Sequence, residues 1–400
     1  MRSRSLALAF TAFLLCGWTD PTPTADEIIA KHIEALGGKA AWDKVRTMTL
    51  TGTYTGFSMP HPFTLHRRRP HHLFMSFTLG DKPITLGWNG EIAWWINPWY
   101  RIDWPVPMGT ADTRAMIQET SLATPFLDYR QAGFTVAFQG EKELEGQKGL
   151  VLALTRPDGQ TESWYLDPET YLHFGRTSMG SDFGQPIAQT TWFSDFRKVG
   201  GLQLPYLIEW EFRTRHRVME VDEITPNPEW KSDPFDLPFP EAMNPLRHLI
   251  GTWLVDVQTR NSPNAQWQSS TSSSTIVAEL GGTALEERIR FGTEPAIRYR
   301  RWFTFDRTRN LFRVVQVDDF TTQAAVLEGT FGENGLRLDN LATNSAWKAF
   351  DKTFHTRVVI SEVGKEGFSL TMAQSEDGGE NWLETARLKY RRSEGRASSH

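Results

Sequence analysis

The chain has 400 residues, of which 39% are hydrophobic and 23% charged, and its formal net charge is −5. This composition is typical of a soluble globular protein and excludes a disordered or wholly membrane-embedded one. The negative net charge gives no electrostatic basis for a nucleic-acid partner. Sixteen tryptophans and 25 phenylalanines favour a wide apolar interior, because each large aromatic side chain buries much area.

The N-terminus has the pattern of an export signal. Arg2 and Arg4 precede an apolar stretch over residues 6–15, and a polar segment rich in proline and threonine follows. The apolar stretch is too short to span a bilayer and remain there. We therefore predict that residues 1–20 are a signal peptide and that the protein is periplasmic or secreted.

Cys16, the only cysteine, ends that apolar stretch and leaves two fates open. It could be the lipid-modified first residue of a lipoprotein, which would anchor the chain to a membrane. Leu15 precedes it, however, where such signals have a small residue, so cleavage between residues 17 and 25 is favoured. Once the leader is removed no cysteine remains, and a disulfide within the chain is impossible.

The first domain, predicted over residues 24–224, begins with a helix and continues in strands. Thr24 and Glu27 form a capping box, and Gly37-Gly38 ends the helix. A second short helix is expected over residues 40–45. The pattern then changes to a period of two, which predicts strands over residues 48–54, 73–79, 84–88 and 92–96 and further strands between residues 134 and 224, with a helix over residues 110–122 between the two groups. Consecutive strands with short turns indicate an antiparallel sheet that is curved or closed.

A proline-rich linker and a second domain follow. Six prolines within residues 225–245 block both helix and central strand, which predicts a semi-rigid linker. Residues 246–392 show a short initial helix and about ten strands, the pattern of a small up-and-down β-barrel. The polar tail over residues 393–400 is expected to be disordered. The predicted fold class is therefore mainly β: an open antiparallel half-barrel plugged by helices, followed by a small closed barrel.

The sequence contains no motif that predicts a catalytic or metal centre. His61, His66, His71 and His72 lie among the arginines 67–69, and a solvated basic edge or loop is the favoured interpretation. Contact with an anionic headgroup or a partner surface is the next alternative. A metal site is least favoured, because adjacent strand residues point to opposite faces and the arginines would repel a cation.

Aromatic residues provide the candidates for a ligand site. The aromatic cluster over residues 94–104 has two possible interpretations. It could be core packing with one exposed edge, or it could form the wall of an apolar ligand cavity. Burial of an acyl chain would contribute about 0.8 kcal/mol per CH₂ and needs no catalytic group and no cofactor. The predicted cavity residues are Phe77, Trp88, Trp94, Trp95, Trp99 and Trp253.

Several segments of the first domain resemble periplasmic proteins of the LolA/LolB-like superfamily, which is associated with outer-membrane lipoprotein sorting. They are residues 24–38, 48–53, 90–94, 96–98, 166–170 and 200–205. The resemblance covers about residues 25–224 and implies an open half-barrel with an apolar cavity. The carriers of that superfamily hold lipoprotein acyl chains, but no functional residue of the carriers is matched here.

The second domain resembles the lipocalin-like (calycin) group. The resemblance is carried by Gly251-Thr252-Trp253, by Gly281-Gly282 at a hairpin, and by residues 377–382 before the last strand. It implies a barrel end plugged by the tryptophan, with an arginine of the last strand stacked on it. Arg387 and Arg391 are the candidates for this cation.

These features predict an exported binding protein for an apolar or lipid-like ligand, with an envelope protein or membrane surface as a further partner. Two alternatives stay open. One is a barrel enzyme of the cyclase or isomerase type, or a haem-binding barrel with a histidine such as His355 as ligand. The other is a non-catalytic interaction module. Buried charged side chains in the second barrel would favour the enzyme.

Overall fold

The computed structural model describes residues 23–56, 58–213, 215–291, 297–319, 323–349 and 351–393. The predicted signal peptide, Cys16 and the tail from residue 394 lie outside these described residues. Among the residues that are described, no helix has the length and apolar character needed to cross a bilayer.

Helices and strands follow one another from residue 25 to residue 226. They are α1 Ala25–Ala35, α2 Lys39–Trp42, β1 Thr47–Gly56, β2 Met59–Arg68, β3 His72–Leu79, β4 Lys82–Trp88, β5 Ala93–Asn97, β6 Ile102–Pro107, α3 Thr110–Ile117, β7 Thr135–Leu144, β8 Gln147–Thr155, β9 Thr161–Leu166, β10 His173–Asp182, β11 Gln185–Val199, β12 Leu202–Phe212 and β13 Arg215–Pro226. Short 3₁₀ turns lie at Pro98–Tyr100 and Pro125–Leu127.

The second half of the chain consists almost entirely of strands. A 3₁₀ segment, Glu241–Leu249, precedes them. The strands are β14 Gly251–Thr259, β15 Gln268–Glu279, β16 Ala284–Phe291, β17 Ile297–Asp306, β18 Leu311–Asp318, β19 Ala325–Gly332, β20 Gly335–Asp339, β21 Trp347–Ala349, β22 Lys352–Ser361, β23 Gly367–Ser375 and β24 Leu383–Arg392.

By its contacts the chain divides into two compact units. Unit 1 comprises the described residues up to 80 together with 110–232, and unit 2 comprises 81–109 together with 233–393. The first domain predicted from the sequence ran unbroken over 24–224, so the stretch 81–109 is where the two divisions differ.

Contacts around Trp94 show why residues 81–109 belong to unit 2. The Trp94 indole donates a hydrogen bond to the Phe235 carbonyl at 2.8 Å, and Phe235 is fully buried. On the other side the ring lies so close to Gly87 that a Cβ there would come within 2.4 Å of it. The second half of the predicted linker therefore packs on the strand β5, which is paired with β4 and β6.

Unit 1 is built on an open, curved antiparallel sheet. Its strands follow the order β3-β2-β1-β13-β12-β11-β10-β9-β8-β7. The helix α1 begins as predicted, because Thr24 accepts a hydrogen bond from the Glu27 amide while the Glu27 carboxylate accepts one from the Thr24 amide. The large open sheet confirms the fold class predicted for the first part of the chain.

Unit 2 contains a closed barrel of ten strands. β14 to β20 and β22 to β24 pair with their neighbours, β14 pairs with β24, and β20 pairs with β22 to complete the ring. The 3₁₀ segment closes one end with Met243, Leu246 and Leu249, all buried beside Trp253. The closed barrel confirms the fold class predicted for the second part.

Two sequence predictions inside unit 1 were wrong, and both concern the interior. Residues 59–68 are the strand β2, although the basic residues there favoured an edge or loop. Helix α3 ends at Ile117 and does not reach residue 122. It ends early because side chains bind the last carbonyl oxygens. The Thr120 hydroxyl donates a hydrogen bond to the Ile117 carbonyl, and the Arg176 guanidinium donates one to the Gln118 carbonyl. Residues 118–124 are irregular as a result and enter the concave side of the sheet.

Candidate functional site

The concave side of the unit 1 sheet encloses a small cavity, hereafter the half-barrel cavity. Its volume is about 30 Å³, which is room for about two water molecules. Apolar side chains make up much of the wall, but Arg67, Arg176 and Glu119 also reach it. The apolar lining residues used below are Met48, Leu50, Leu122, Phe193, Ile208 and Ile224.

Arg67 is a buried cation with few partners. It follows Phe63 and Leu65 on the inward face of β2 and is 8% exposed. Its only hydrogen bond within the described part of the chain runs from Nη1 to the Leu122 carbonyl at 3.4 Å, and its Nε has no partner there. Burial lowers the pKa of Arg67 to about 10, the largest of the effects acting on it. The Glu119 charge offsets part of this effect and the Arg176 charge adds to it, so the site holds a guanidinium that is only partly compensated.

Arg176 lies on the same inner face and makes three hydrogen bonds through its Nη atoms, although its Nε has no partner among the described residues. Its guanidinium donates to the Gln118 carbonyl at 3.2 Å, to the Glu119 carboxylate at 2.5 Å and to the Thr191 hydroxyl at 3.0 Å. Burial, the largest single effect, raises the pKa of Glu119, but the charge and hydrogen bond of Arg176, the charge of Arg67 and the Trp210 hydrogen bond together hold that pKa below its ordinary value. Glu119 is therefore ionised and bound mainly to Arg176.

A second buried ion pair lies farther along the inner face. Arg156 donates to Glu162 at 2.6 Å, and the Trp164 indole donates to the other oxygen of that carboxylate at 2.9 Å. Together with Arg67, Arg176 and Glu119, whose side chain is 24% exposed, this pair makes three guanidiniums and two carboxylates on the inner face as the described residues define it. One positive charge is therefore in excess, which favours an anion as the missing partner.

Two fully buried histidines stand beside these charges. His32 bonds the Tyr171 carbonyl through Nδ1 at 2.7 Å and the Thr124 hydroxyl through Nε2 at 3.2 Å. The His173 ring packs edge-on against Phe193 at 4.6 Å, and neither of its nitrogens has a hydrogen-bond partner among the described residues. Burial lowers the pKa of His32 to about 4 and holds the pKa of His173 well below its ordinary value.

Acid is expected to destabilise unit 1 through these histidines. Because their folded pKa values lie below the unfolded value of about 6.5, the unfolded chain binds protons that the folded one rejects. Stability should therefore fall as the pH drops from about 6.5 towards 4, by about 3 kcal/mol for His32. Urea unfolding at several pH values measures this slope.

His173→Leu supplies the matched comparison for the acid effect. It removes one of the titrating groups and a buried polar ring without a partner, so this variant should show a shallower slope and higher stability at pH 7. His216→Leu changes an exposed histidine on β13 and should keep the wild-type slope. An unchanged slope in His173→Leu would contradict the assignment.

The barrel of unit 2 also contains a buried charged cluster, hereafter the barrel cluster. Glu287 accepts hydrogen bonds from Tyr390 at 2.7 Å, Ser274 at 2.9 Å and Arg301 at 2.8 Å. Arg301 also donates to Gln316 at 2.7 Å, and neither Arg301 nor Glu287 is more than 1% exposed. Burial, followed by the Glu287 charge, raises the pKa of Tyr390 well above its ordinary value, so its hydroxyl keeps the proton.

The aromatic residues predicted to line a cavity are dispersed. Phe77, in unit 1, is half-buried against Tyr54, whereas Trp94 is fully buried. Trp88 and Trp95 are half-buried, and Trp99 is 53% exposed. None of the six predicted residues lines the half-barrel cavity as the described residues define it.

Trp253 is fully buried beside the 3₁₀ segment Glu241–Leu249, and the cation on it is Arg392. The Arg392 guanidinium lies 4.4 Å from the ring centre, and the two residues are directly opposite each other in the β14–β24 register. The candidates Arg387 and Arg391 were wrong. Arg387 stacks on Trp267, and Arg391 is paired with Asp256 at 2.9 Å. The choice depends on the strand register, which the sequence does not reveal.

The clustered histidines serve separate contacts. His66 bonds the Thr49 hydroxyl at 2.8 Å, and His61 accepts from the Gly80 amide at 3.1 Å. Nowhere among the described residues do three or more His, Cys, Asp or Glu side chains come together as a metal site requires. On β22 the residues Val358 and Ile360 face inward, so His355 faces outward and cannot ligate a haem within the barrel.

Sequence reasoning missed the charged interior residues, although a signal for them exists. In β2 the residues Phe63, Leu65 and Arg67 alternate with exposed or half-buried ones, and in β16 Glu287 takes an apolar position between Leu285 and Ile289. A charged residue at one of the alternate strand positions that are otherwise apolar indicates a buried ionic site.

Comparisons with known proteins give one family match, over the second part of the chain, and several similar solved structures. Residues 241–392 match a family described as "Protein of unknown function (DUF1579)". No curated protein matches the sequence. A LolA superfamily protein, NE2245 from Nitrosomonas europaea, is 11% identical, with 52% of this chain and 96% of that chain covered and a TM-score of 0.38.

Two further solved structures are similar to parts of the chain. A DUF1329 family protein from Desulfovibrio piger is 10% identical, with 52% of this chain and 96% of that chain covered and a TM-score of 0.38. Rv2717c from M. tuberculosis is 12% identical, with 39% of this chain and 99% of that chain covered and a TM-score of 0.31. The lipocalin-like assignment of the second domain stays a prediction, and the family matched over residues 241–392 has no assigned function.

Proposed function

We propose that the protein is an exported, non-catalytic binding protein whose half-barrel cavity takes a lipid-like ligand with an anionic headgroup. Export to the periplasm or beyond is part of this proposal and is supported by the N-terminal sequence. The anionic headgroup refines the apolar ligand expected from the sequence, because charged side chains stand among the apolar ones in the interior.

One observation supports the proposal above all others, and it is the state of Arg67. A guanidinium has five N–H donors. In Arg67, among the described residues, one of them makes a long hydrogen bond, to the Leu122 carbonyl at 3.4 Å. The Glu119 charge offsets part of this burial, but a buried guanidinium with so few hydrogen bonds still costs several kcal/mol, so a residue of this kind is retained where something else compensates it. A carboxylate or phosphate group would accept two parallel bonds from its planar fork.

The apolar wall of the cavity suits the tail of such a ligand. Met48, Leu50 and Ile224 lie on neighbouring strands and are buried, and Phe193 and Ile208 continue the surface. Each buried CH₂ of an acyl chain would contribute about 0.8 kcal/mol.

Entry of the ligand requires residues 118–123 to move, because the cavity volume of about 30 Å³ is far below that of an acyl chain. The arginines hold this segment through the carbonyl oxygens of Gln118 and Leu122. A ligand anion would replace a neutral carbonyl by a charged acceptor, which forms a hydrogen bond about twice as strong. The exchange provides the driving force for opening.

Ligand titration of the mature protein tests this function. We expect a fluorescent fatty acid to bind, the matched fatty alcohol to bind much less, and Arg67→Met to weaken binding of the acid on the order of a hundredfold. An alkyl phosphate included in the same series distinguishes phosphate from carboxylate recognition. Arg197→Met, which removes an exposed arginine paired with Asp195, is the control and should bind as wild type.

Two results would overturn the function. One is equal binding of the acid and the alcohol by the wild-type protein, and the other is undiminished binding of the acid by Arg67→Met. Native mass spectrometry of the exported protein, followed by extraction of any carried molecule, gives an independent measurement and also reports the state of Cys16.

The barrel cluster favours a second candidate, a ligand or catalytic site inside the barrel of unit 2. Buried Glu287 and Arg301 are the kind of side chains that an enzyme on this barrel would need. We rank it second because Glu287 already accepts three hydrogen bonds, one each from Tyr390, Ser274 and Arg301. Tyr390→Phe removes only the hydroxyl, so reduced ligand binding in that variant would move the site to the barrel.

A further inference from the structure

The turn between β5 and β6 exposes aromatic side chains that the proposed ligand site does not use. Trp99 is 53% exposed and Tyr100 is 37% exposed, both within the 3₁₀ turn Pro98–Tyr100. The Tyr100 ring packs on half-buried Trp95, with ring centres 4.9 Å apart. We call Trp95, Trp99 and Tyr100 the aromatic turn.

The local backbone fixes this exposed arrangement. The Asn97 side chain accepts a hydrogen bond from the Trp99 amide at 3.2 Å, which caps the turn. Arg101 then adopts a left-handed conformation with φ of 59°, which reverses the chain into β6. Trp99 is therefore presented to solvent by a defined turn, so its exposure is a property of the fold.

Positive charge borders the aromatic turn. The Lys82 ammonium lies 5.1 Å from the centre of the Trp99 ring, and Arg101 is exposed beside Tyr100. Of the nearby acids, Asp103 is paired with Arg307 at 3.0 Å and Asp81 is exposed. The three cations named here are Lys82, Arg101 and Arg307, and the two carboxylates are Asp81 and Asp103. These five side chains therefore carry one excess positive charge.

We propose that the aromatic turn is a docking surface for an anionic lipid bilayer. Tryptophan and tyrosine combine an apolar ring with a polar N–H or O–H, and they prefer the headgroup level of a membrane. Cations at the same height attract anionic headgroups. A glycan would need an open, flat ring face, but the Lys82 ammonium lies over Trp99 and the Trp95 and Tyr100 rings are tilted by 42°.

This surface rests on residues outside the half-barrel cavity, so its test is separate from that of the proposed function. Sedimentation with vesicles of phosphatidylcholine alone, and with equal parts phosphatidylglycerol, measures docking of the mature protein. We expect binding to the anionic vesicles only. Trp99→Ala/Tyr100→Ala should abolish it, and Lys82→Gln/Arg101→Gln should weaken it by about fivefold per removed cation.

Phe183→Ala is the matched control, because Phe183 is 54% exposed on a different hairpin, between β10 and β11. It should bind vesicles as wild type does, and unchanged thermal midpoints confirm that each variant is folded. Absence of wild-type binding to anionic vesicles overturns the proposal. So does binding that survives Trp99→Ala/Tyr100→Ala or that is lost in Phe183→Ala, since either result places the contact elsewhere.

Discussion

Replacing Glu287 by glutamine is expected to lower the free energy of unfolding by about 3–5 kcal/mol, the largest effect of any prediction made here. The substitution keeps the side-chain volume but removes the charge opposite Arg301, which is 0% exposed. Arg301 cannot reach water, so its charge would stay buried without a counter-ion. Urea titration followed by far-UV circular dichroism measures the loss.

The neighbouring residue provides a matched control. Glu286 lies on the outer face of β16 and pairs with Arg288 and Arg300, whose side chains are 56% and 50% exposed. These arginines become solvated when the partner is removed, so Glu286→Gln should cost at most about 1 kcal/mol. Because Glu286 is itself only 4% exposed, similar losses for the two variants would mean that burial of the partner arginine does not determine the energetics of the pair.

A double variant separates charge burial from packing. Glu287→Leu/Arg301→Met removes both charges and replaces them by apolar side chains of similar size. We expect it to regain most of the stability lost in Glu287→Gln, because buried ion pairs seldom exceed apolar packing in net stabilisation. In this double variant the hydroxyls of Ser274 and Tyr390 lose Glu287 as their acceptor, and these two lost hydrogen bonds account for the stability that is not regained.

The two arginines of the half-barrel cavity are expected to respond to the same substitution with opposite signs. Arg176→Met removes three hydrogen bonds and leaves Glu119, which is only 24% exposed, with weaker partners, so stability should fall by about 3 kcal/mol. Arg67→Met removes one long hydrogen bond and a buried charge, so stability should rise by about 1–2 kcal/mol. Urea unfolding of the ligand-free proteins measures both.

The opposite signs separate a structural arginine from one retained for binding. A gain in stability together with a loss of ligand binding in Arg67→Met would fit a residue kept for function at the expense of stability. A loss as large as that of Arg176→Met would instead mean that Arg67 is already compensated in the ligand-free protein. The anion proposed for the cavity would then lose its main support.

Local patterns in the sequence sufficed for the fold class. The Thr24–Glu27 cap, the apolar periodicity and the turn signals are encoded within a few residues, and the open sheet and the closed barrel follow from them. The strand β2 was missed because its arginines and histidines resemble a solvated edge. Which of them faces inward depends on the phase of the strand, and Arg67 shares that phase with Phe63 and Leu65.

The candidate site could not be predicted from local sequence patterns, because residues far apart in the sequence come together to form it. Arg67 and Leu122 are 55 positions apart, and Glu287 and Tyr390 are 103 apart. The Trp253 cation illustrates the same limit. Three arginines near the end of the chain were equally close in sequence, and only the register of β14 with β24 selects Arg392.

The packing of Trp94 on Phe235 has a consequence for biosynthesis. A ribosome delivers residues 81–109 first, and the whole of residues 110–232 emerges before the segment that covers Trp94. In the nascent chain, the Trp94 ring on β5 therefore stays uncovered until Phe235 has been synthesised. Chaperones bind exposed apolar surfaces of this kind at that stage. A fragment intended to isolate unit 2 needs both stretches joined, because starting at residue 233 leaves the Phe235 carbonyl without its indole donor.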